Sequence, residues 1–517
     1  MFAAEGPATV AEQFAAVEGL HGNRRALRCA SGSSDALTFN DVAELAGTAT
    51  TVFADHGAVP GDRVMVVLSN SMILRILERA VLGSGLVRVA LSPRLHPREI
   101  AAIAIDCEST IVCCTAEAHD AIRAALNELQ WSAALFVCDD EPGPGVLSPA
   151  SLRGQPSASK ISWPAPEPDA IAMLMYSSGT TGRPKAAVVT HRTWVAQTNR
   201  ALDQLPSLSP DDVVLAVAPM THFGGSIGLD SAVCGAATVT MSKFDPHAVL
   251  NAIDSFGVTV LPLAPVMLER IARAAVESHW VPAGLRAIPY GGSPISIDAL
   301  RLAHNTFPGT LVQFYGLAEA LAPLTVLTPE DHSTTDPDRL SSAGRVCRGV
   351  ELRIVDGEVI VRADTVMPEY WNRAGLTAEV LSDGWFRTGD LARVDRDGYV
   401  HLLGRSTDVI VSGGFNVHPA EVECVLTALD DVREAAVLGL PHPVWGEGVT
   451  AAVVLEPASR GLDPQSLSDR IAAACARRIA GYKKPVAVHV VDELPRNPAG
   501  KLDRTALRNR LSQTEKD

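Results

Sequence analysis

A short polar segment, residues 176–185 (YSSGTTGRPK), combines hydroxyls, glycines and a lysine at the end of an apolar run. Because residues 170–175 are apolar, we expect the segment to begin where a strand ends. Hydroxyls and unobstructed backbone N–H groups can wrap a polyphosphate, and glycine permits the close approach. The candidates for this role are Ser177, Ser178, Gly179, Thr180, Thr181, Gly182 and Lys185. The spacing differs from GxxxxGK[ST], and a polar hairpin turn is the structural alternative.

A second pattern, residues 224–228 (GGSIG), matches the GxSxG nucleophile elbow of α/β-hydrolases. The elbow requires a strand directly before it and a suitable Asp and His downstream. Here the pattern lies inside the longer segment 218–225 (APMTHFGG). We therefore do not predict a hydrolase.

Together with 177–185, further segments resemble the motifs of the adenylate-forming superfamily in order and spacing. That family includes acyl-CoA synthetases, adenylation domains and luciferases, and the acyl- and aryl-CoA synthetase (acid–CoA ligase) branch is the most similar. The resemblance runs from about Leu37 to Leu507. Its motifs are 290–294 (YGGSP), 315–319 (YGLAE), 385–391 (WFRTGDL), 404–408 (GRSTD), 411–423 (VSGGFNVHPAEVE) and 494–502 (LPRNPAGKL).

The resemblance implies a nucleotide site. Tyr315 would stack on adenine, Asp390 would accept hydrogen bonds from both ribose hydroxyls, and Arg405 would contact ribose or phosphate. The remaining adenine-side candidates are Gly292, Ser293, Pro294 and Gly316. The glycines of the loops at 224–225 and 291–292 suggest room for a bulky aryl, alicyclic or medium-chain acid.

Three residues are the catalytic candidates implied by the same resemblance. Lys501 would bridge the attacking carboxylate and the α-phosphate, where an ammonium stabilises developing charge. Glu319 would hold Mg²⁺, a hard cation that prefers carboxylate and phosphate oxygens. His222, with Phe223 as second choice, would close the acyl pocket, which residues 260–268 also line.

Coenzyme A is the implied acyl acceptor. Gly413 and Gly414 would let its pantetheine arm pass close to the backbone, and Arg94, Trp445 and Lys484 would contact its nucleotide. Two positions depart from the family pattern. Ala318 replaces a threonine that contacts the α-phosphate, and Thr407 replaces a charged hinge residue.

The predicted reaction therefore uses Mg-ATP to convert a carboxylic acid to acyl-AMP and then passes the acyl group to CoA. An adenylating enzyme that loads a carrier protein or an amine is one alternative. A specialised ligase that uses acyl-AMP made elsewhere is another, because Ala318 removes one phosphate contact. A non-catalytic nucleotide-binding module is the third and is disfavoured by the complete motif set.

Strand-like and helix-like stretches alternate along the first two thirds of the chain, which predicts parallel sheets covered by helices. Examples are the strand at 63–68 and the helix at 71–86. Short β runs at 352–403 predict a β-rich subdomain, and 409–517 reads as α+β. We therefore predict an α/β fold with two α/β sheets and a β-rich subdomain in residues 1–404, a hinge at 405–408 and a small mobile α+β domain at 409–517.

Size and composition narrow the class of protein. The 517 residues exceed one ordinary core and suit two or three domains. The net charge of −15 argues against nucleic-acid binding, which needs basic stripes. The nine scattered cysteines read as reduced core residues, and no apolar run is long enough to span a membrane. With no signal-peptide pattern, we expect a cytoplasmic protein whose partners are small molecules, and a homodimer is compatible with these features.

Overall fold

The structure is a computed structural model of the chain. It describes residues 6–32, 35–154, 163–177, 184–221, 223–412, 415–443, 445–459, 461, 463–497 and 500–514.

The first part of the chain builds most of a seven-stranded sheet with order β7-β6-β5-β3-β4-β8-β9. All its pairs are parallel except the last, β8 with β9. The elements up to residue 154 are α1 (Val10–His21), β1 (Arg25–Cys29), β2 (Leu37–Thr38), α2 (Phe39–Asp55), β3 (Arg63–Val67), α3 (Met72–Gly83), β4 (Val87–Leu91), α4 (Pro97–Asp106), β5 (Ile111–Cys114), α5 (Ala116–Glu128), β6 (Ala134–Cys138), β7 (Val146–Leu147) and α6 (Pro149–Arg153).

The next part completes that sheet and builds a second layer. Its elements are β8 (Ile171–Ser177), β9 (Lys185–Thr190), α7 (His191–Asp203), β10 (Val213–Ala216), α8 (Phe223–Ala232), β11 (Ala237–Thr240), α9 (Pro246–Phe256), α10 (Pro265–Glu277), β12 (Ile288–Gly291), α11 (Ile297–Thr306), β13 (Leu311–Tyr315), β14 (Thr325–Leu327), α12 (Pro329–His332), α13 (Pro337–Leu340) and β15 (Arg345–Val346).

Two four-stranded sheets, β10-β11-β1-β2 and β12-β13-β14-β15, form this second layer. Val260 joins them, because it bridges Val214 of the first sheet and Ala287 beside the second. The strands β10, β12 and β13 therefore end near one another, and the described residues that follow them, 217–221, 223–225, 292–294 and 316–319, are brought to one edge. Ligand sites in open α/β sheets lie at such carboxyl ends.

A β-rich subdomain follows, with all its strand pairs antiparallel. Its sheet has the order β16-β17-β19-β18, with β20 paired to β19. The elements are β16 (Glu351–Val355), β17 (Glu358–Arg362), α14 (Ala374–Val380), β18 (Leu381–Ser382), β19 (Trp385–Val394) and β20 (Val400–Arg405).

The last part of the chain forms a separate α+β unit with its own sheet, ordered β22-β21-β24-β23 with β25 beside β24. A short 3₁₀ turn, Ser406–Asp408, links it to β20. Its elements are β21 (Ile410–Ser412), β22 (Phe415–Val417), α15 (Pro419–Thr427), β23 (Val432–His442), β24 (Gly446–Leu455), α16 (Pro464–Arg478), β25 (Ala487–Val490) and α17 (Arg504–Thr514), with 3₁₀ turns at Pro457–Ser459 and Gly481–Lys483. The predicted fold class is confirmed.

Helix α3 illustrates how local sequence sets these elements. The Ser71 hydroxyl caps it by accepting a hydrogen bond from the Leu74 amide, and the Asp140 carboxylate accepts two more from the first turn. The predicted apolar face is buried, yet Arg75 and Glu78 on the same helix are buried as well. A helix that is enclosed on all sides in this way must satisfy its charges inside the protein.

Among the described residues, no helix has both the length and the apolar character needed to cross a membrane. The nine cysteines are free thiols, most of them buried, which agrees with the prediction of reduced core residues.

Asp230 on α8 is a fully buried carboxyl group. It accepts hydrogen bonds from Gln197 (2.9 Å) and Thr198 (2.7 Å) on α7 and so fixes α8 against that helix. Burial raises the pKa of Asp230 to about 7, and the two hydrogen bonds and Arg75 counteract only part of that rise. In an unfolded chain the same group would titrate near 4.

We expect Asp230→Asn to flatten the pH dependence of stability. Because the folded state holds the Asp230 proton up to about pH 7 and the unfolded state releases it near pH 4, stability falls by about 1.4 kcal/mol per pH unit in this window. Thermal unfolding of both proteins from pH 5 to 8 measures the difference. Asp298→Asn on an exposed side chain is the control, and parallel pH profiles for wild type and Asp230→Asn would contradict the assignment.

Candidate active site

The predicted phosphate loop connects two antiparallel strands. Ser177 is the last residue of β8, and it pairs in register with Lys185, the first residue of β9. The loop candidates Ser178, Gly179, Thr180, Thr181 and Gly182 lie outside the described residues. The strands β8 and β9 therefore form a hairpin whose described ends, Ser177 and Lys185, lie at the carboxyl end of β8, and this agrees with both the phosphate-loop hypothesis and the hairpin alternative.

Lys185 and Glu319 meet at the end of this hairpin. The Lys185 ammonium lies 3.2 Å from Glu319 Oε1 and donates a hydrogen bond to the Tyr370 hydroxyl oxygen at 2.6 Å. The Tyr370 hydroxyl in turn donates to Glu319 Oε1 at 2.8 Å. Tyr370 thus holds Lys185 and Glu319 together, although the three residues are far apart in the sequence.

Tyr370 is itself fixed by a second set of contacts beneath the hairpin. The Asp106 carboxylate accepts hydrogen bonds from the Tyr176 hydroxyl (2.6 Å) and from Arg373, and the Asp106 carbonyl accepts one from the Trp371 indole (3.1 Å). These contacts anchor residues 371–373 to the strand that carries the predicted phosphate loop. The position of Tyr370 is therefore coupled to the carboxyl end of β8.

Asp390, Tyr315 and Arg405 form a neighbouring group. The Tyr315 hydroxyl donates to Asp390 Oδ2 at 2.6 Å, and Arg405 Nε lies 2.7 Å from Asp390 Oδ1. Asp390 and Arg405 face each other as a cross-strand pair of β19 and β20. Each carboxylate oxygen can accept a further hydrogen bond, so the arrangement leaves capacity for the two ribose hydroxyls.

The electrostatics of Asp390 depend on its depth in the cleft. Burial raises the pKa of this carboxyl, while Arg405, the Tyr315 hydroxyl and Lys501 lower it and Glu319 raises it further. These influences link Asp390 to Glu319 and Lys501, which the chain separates widely. The structure therefore brings the predicted ribose, metal and catalytic residues into one charged cluster.

Lys501 reaches this cluster from the C-terminal unit. A Cβ placed on Gly292 would lie 3.9 Å from Lys501 Cε, so the lysine stem passes directly over the 290–294 loop. Although solvent reaches the side chain, surrounding protein desolvates the ammonium and, together with Arg405, lowers its pKa, while Asp390 and Glu319 raise it. The Asn497 amide oxygen accepts the Lys501 backbone N–H at 3.0 Å and fixes the turn.

The glycines do not leave the room that the sequence suggested. A Cβ on Gly291 would clash with the Phe314 carbonyl oxygen, one on Gly224 would lie 2.7 Å from the Ala218 Cβ, and one on Gly225 would clash with the Met220 carbonyl. These three glycines are needed because neighbouring atoms lie where a Cβ would be, so they do not themselves provide space for the acid, and the size of the acid stays a prediction. Gly292 differs, since its φ is +85° and it faces Lys501.

The other predicted residues are distributed as follows. Ser293 is half-buried and Pro294 is exposed beside Gly292. A Cβ placed on Gly316 would lie only 2.6 Å from the Ala322 backbone, so this position requires glycine. His222, Gly413 and Gly414 lie outside the described residues, as does the side chain of Phe223.

The predicted CoA contacts lie on exposed surface. Trp445 is 43% exposed and stacks on His442, with ring centroids 4.5 Å apart. Arg94 and Lys484 are exposed, and within the described part of the chain no carboxylate pairs with either, whereas the adjacent Lys483 pairs with Glu421. None of the three contacts the charged cluster in the described structure.

The donor set fits a magnesium ion that is shared with a polyphosphate. Over the described ranges, no group of three or more His, Cys, Asp or Glu residues is arranged to hold a metal by itself. Mg²⁺ typically takes only one or two protein carboxylates and completes its shell with phosphate oxygens and water. Glu319, next to the hairpin, supplies such a carboxylate.

Sequence reasoning missed Tyr370 and Asp106. The signal for Tyr370 was present in the aromatic pair of residues 368–371 (PEYW), because a buried tyrosine needs a partner for its hydroxyl. Nothing in the sequence near Asp106 distinguishes it from an ordinary aspartate at the end of α4. Its role depends on tertiary contacts.

Comparison with known proteins agrees with the motifs. Residues 14–371 match the family model of the AMP-binding enzyme, and residues 421–501 match that of the AMP-binding enzyme C-terminal domain. The chain is 33% identical over 497 residues to a feruloyl-CoA synthase from Amycolatopsis sp, covering 92% of this chain and 94% of that one. It is 34% identical over 418 residues to a 2-succinylbenzoate–CoA ligase from Geobacillus kaustophilus, covering 76% and 82%.

Among solved structures, the chain is similar to the amide bond synthetase McbA from Marinactinospora thermotolerans. The TM-score is 0.85 at 28% sequence identity, with 97% of this chain and 99% of that one covered. The family models and the sequence relatives together confirm the resemblance. The chain belongs to the AMP-binding enzyme family, in the acyl- and aryl-CoA synthetase branch of the adenylate-forming superfamily.

Proposed function

We propose that this enzyme is an AMP-forming acid–CoA ligase in which Lys501 catalyses the first of two half-reactions. Mg-ATP and a carboxylic acid give acyl-AMP and pyrophosphate, and acyl-AMP and CoA then give acyl-CoA and AMP. The observation that carries the proposal is the position of Lys501, which lies over Gly292 and interacts electrostatically with Asp390, Glu319 and Arg405.

In the first half-reaction a carboxylate oxygen forms a bond to the α-phosphorus, and the bond to the pyrophosphate oxygen breaks. The Lys501 ammonium offers positive charge where charge builds up on the phosphoryl oxygens. Asp390 orients the ribose and is itself oriented by Tyr315 and Arg405. Glu319 would hold Mg²⁺, which when bound supplies charge neutralisation for the polyphosphate.

Lys185 and Tyr370 prepare the site for the outer phosphates. Lys185 is held 3.2 Å from Glu319, so its ammonium lies beside the proposed metal ligand. We assign it to the β- and γ-phosphates together with residues 177–182. A bound polyphosphate would compete with the Glu319 carboxylate for this ammonium, and the Tyr370 hydroxyl keeps both groups in reach.

The second half-reaction requires Lys501 to leave. We place the domain boundary as the sequence predicted, with residues 1–404 and 409–517 joined at 405–408, and we assign Thr407 as the hinge. The 3₁₀ turn at Ser406–Asp408 borders a cavity of about 440 Å³ that both units line, through Leu391 and Leu403 on one side and Val409 and His418 on the other. Rotation here would remove Lys501 and bring Gly413 and Gly414 toward the acyl-AMP.

The thiol of CoA then attacks the acyl carbonyl, a thioester forms and AMP leaves. Acyl-AMP is a strong acyl donor, so this step depends mainly on positioning. We assign Arg94 and Lys484 to the CoA phosphates because their charges are exposed and carry no carboxylate partner in the described structure. Trp445 offers a stacking surface for the adenine or pantetheine portion.

For the acid, we propose an aryl or similarly bulky carboxylic acid. Two relatives are a feruloyl-CoA synthase and a 2-succinylbenzoate–CoA ligase, and both names denote aromatic acids. We assign the acid pocket to residues 218–225, called here the acid-binding segment, which includes His222, and to residues 260–268. Residue 222 would close the pocket against the acyl chain.

A second candidate is an enzyme that transfers the acyl group to an amine. The similarity to the amide bond synthetase McbA over 97% of the chain favours it. Ala318 does not distinguish the two candidates, because the hydroxyl that this position lacks would act on the α-phosphate in the first half-reaction. Both candidates share the acyl-AMP intermediate and differ only in the acceptor.

Product analysis distinguishes the acceptors. We expect a panel of aryl acids with ATP and Mg²⁺ to give an acyl-CoA by mass spectrometry when CoA is present, and only acyl-AMP when every acceptor is omitted. Formation of an amide from added amines, with no thioester from CoA, would overturn the CoA assignment in favour of the second candidate. Acyl-AMP that neither acceptor consumes would instead favour a carrier-protein thiol.

Lys501→Ala is predicted to separate the half-reactions. Without the ammonium, acyl-AMP formation should fall by at least a hundredfold, because charge stabilisation at the phosphoryl group is lost. Conversion of supplied acyl-AMP and CoA to thioester should persist, since Lys501 is absent from that step. Lys243→Ala, on an exposed lysine outside the motifs, is the control. Equal loss of both half-reactions in folded protein would show that Lys501 has another role.

Tyr370→Phe is predicted to weaken the use of ATP. Removing the hydroxyl breaks the link between Lys185 and Glu319, and a lost hydrogen bond to charged groups corresponds to about a tenfold fall in kcat/KM for ATP. Steady-state kinetics with ATP and Mg²⁺ varied measure the effect. Tyr399→Phe removes another buried hydroxyl from a carboxylate, Asp331, and serves as the matched control. A similar effect of both substitutions on kcat/KM would contradict the role of Tyr370.

We also propose that the enzyme acts in the cytoplasm. Any self-association would be a homodimer, which sedimentation velocity would detect as a species of twice the 54.6 kDa chain mass.

A further inference from the structure

Three charged side chains form a cluster in the interior of the large domain, away from the charged residues of the nucleotide site. Arg75 and Glu78 lie on α3 and Arg88 lies on β4, and each is at most 5% exposed. Glu78 Oε2 accepts from Arg75 at 2.7 Å, and Glu78 Oε1 accepts from Arg88 at 2.9 Å and 2.5 Å. One carboxylate therefore orients two guanidinium groups.

Each guanidinium also donates a hydrogen bond to a backbone carbonyl of the acid-binding segment. Arg88 Nη2 donates to the Met220 carbonyl oxygen at 3.2 Å, and Arg75 Nη2 donates to the Gly225 carbonyl oxygen at 3.0 Å. Met220 and Gly225 flank the residues that the proposed function places against the acid. The cluster thus fixes the backbone on both sides of them.

The neighbouring Asn70 holds the start of the same segment. Its amide nitrogen donates to the carbonyls of Ala216 (3.0 Å) and Ala218 (2.9 Å), and its oxygen accepts the Met220 N–H at 2.8 Å. Glycine at two positions allows this close fit. A Cβ on Gly225 would clash with the Met220 carbonyl, and one on Gly228 would clash with the Arg75 guanidinium.

The cluster contains more positive than negative charge. Two arginines share one glutamate, and Asp230 on α8 adds negative charge beside Arg75 only as it loses its proton, near pH 7. Burying ions is costly, and removing one member would leave an unpaired charge inside the protein. Apolar residues of the same size would fill the space at lower cost, so stability alone does not account for three ionised groups here.

We propose that the Arg75–Glu78–Arg88 cluster positions the acid-binding segment and so determines which carboxylic acids the enzyme accepts. The inference rests on the proposed function, because that function assigns the segment to the acid pocket. Arg75 and Arg88 are positioning residues, since they act on the segment through the carbonyls of Met220 and Gly225. The guanidinium is suited to this task because its fork can bind a carboxylate and a carbonyl at once.

Arg75→Lys and Arg88→Lys test the proposal while keeping the cluster's charge. A lysine can pair with Glu78 but lacks the planar fork that also reaches the carbonyl. We expect each variant to raise KM for the acid at least fivefold and to change the rank order of acids of different size. The KM for ATP should stay within twofold of the wild-type value. Carboxylate-dependent ATP–pyrophosphate exchange across an acid panel measures all three quantities.

Arg286→Lys is the matched control at the opposite end of β10. Arg286 also joins a buried carboxylate, Asp212, to a backbone carbonyl, that of Ser207, although its side chain is 40% exposed, so the substitution disturbs the same kinds of contact without touching the acid-binding segment. We expect it to lower the thermal midpoint and leave acid selectivity unchanged. If all three lysine variants behave alike, or if KM for acid and ATP rise together, the proposal is wrong.

A binding measurement keeps the proposal testable apart from turnover. Calorimetry measures the affinity for AMP and for acyl-sulfamoyl adenosines of different acyl size. The affinity for an acyl-sulfamoyl adenosine divided by the affinity for AMP reports the contribution of the acyl group. We expect Arg75→Lys and Arg88→Lys to reduce that ratio at least fivefold with AMP affinity unchanged, and an unchanged ratio overturns the proposal. Absence of exchange in the wild type with every acid would instead count against the proposed function, and the affinity ratio would still decide the role of the cluster.

Discussion

The active cleft depends on holding three cations and two carboxylates close together. Lys185, Arg405 and Lys501 supply the positive charges, and Glu319 and Asp390 supply the negative ones. The small positive excess suits a polyanionic nucleotide, although the chain as a whole carries a net charge of −15. Tyrosine hydroxyls make the arrangement stable, since Tyr370 joins Lys185 to Glu319 and Tyr315 orients Asp390.

That cluster imposes a requirement on the rest of the fold. Its members come from the start of β9, from the segment after β13, from the β-rich subdomain and from the C-terminal unit. The N-terminal sheets position most of the cluster rigidly, while Lys501 is carried by a unit connected through a short 3₁₀ turn. The same group that completes the site for the first half-reaction is therefore the one that a rotation can withdraw.

Much of this architecture followed from the sequence. The strand at 63–68 and the helix at 71–86 appear as β3 and α3 with ends shifted by a few residues. The β-rich and α+β regions appear near residues 352–403 and 409–517, as the sequence pattern predicted. Hydrophobic periodicity within a single sequence is enough to find such strands and helices. The charged cluster was expected for a different reason, because its residues lie in motifs that resemble those of the adenylate-forming superfamily.

Other features depend on tertiary contacts and could not be read in this way. Arg75 and Glu78 look like solvated charges on an amphipathic helix, yet α3 is enclosed and both are buried. The glycines at 224, 225 and 291 looked like space for an acid, but atoms of Ala218, Met220 and Phe314 lie where their side chains would be. Tyr370 and Asp106 gain their roles only when the hairpin and residues 370–373 meet.

The most direct test of the central claim is carboxylate-dependent exchange of labelled pyrophosphate into ATP, measured on the wild-type enzyme with no acyl acceptor present. The account predicts exchange that requires both Mg²⁺ and a suitable acid and that does not need CoA. No exchange with any aryl, fatty or polycyclic acid, together with thioester formation from supplied acyl-AMP, would contradict it. The enzyme would then be specialised for the second half-reaction, and Lys501 would not activate the acid.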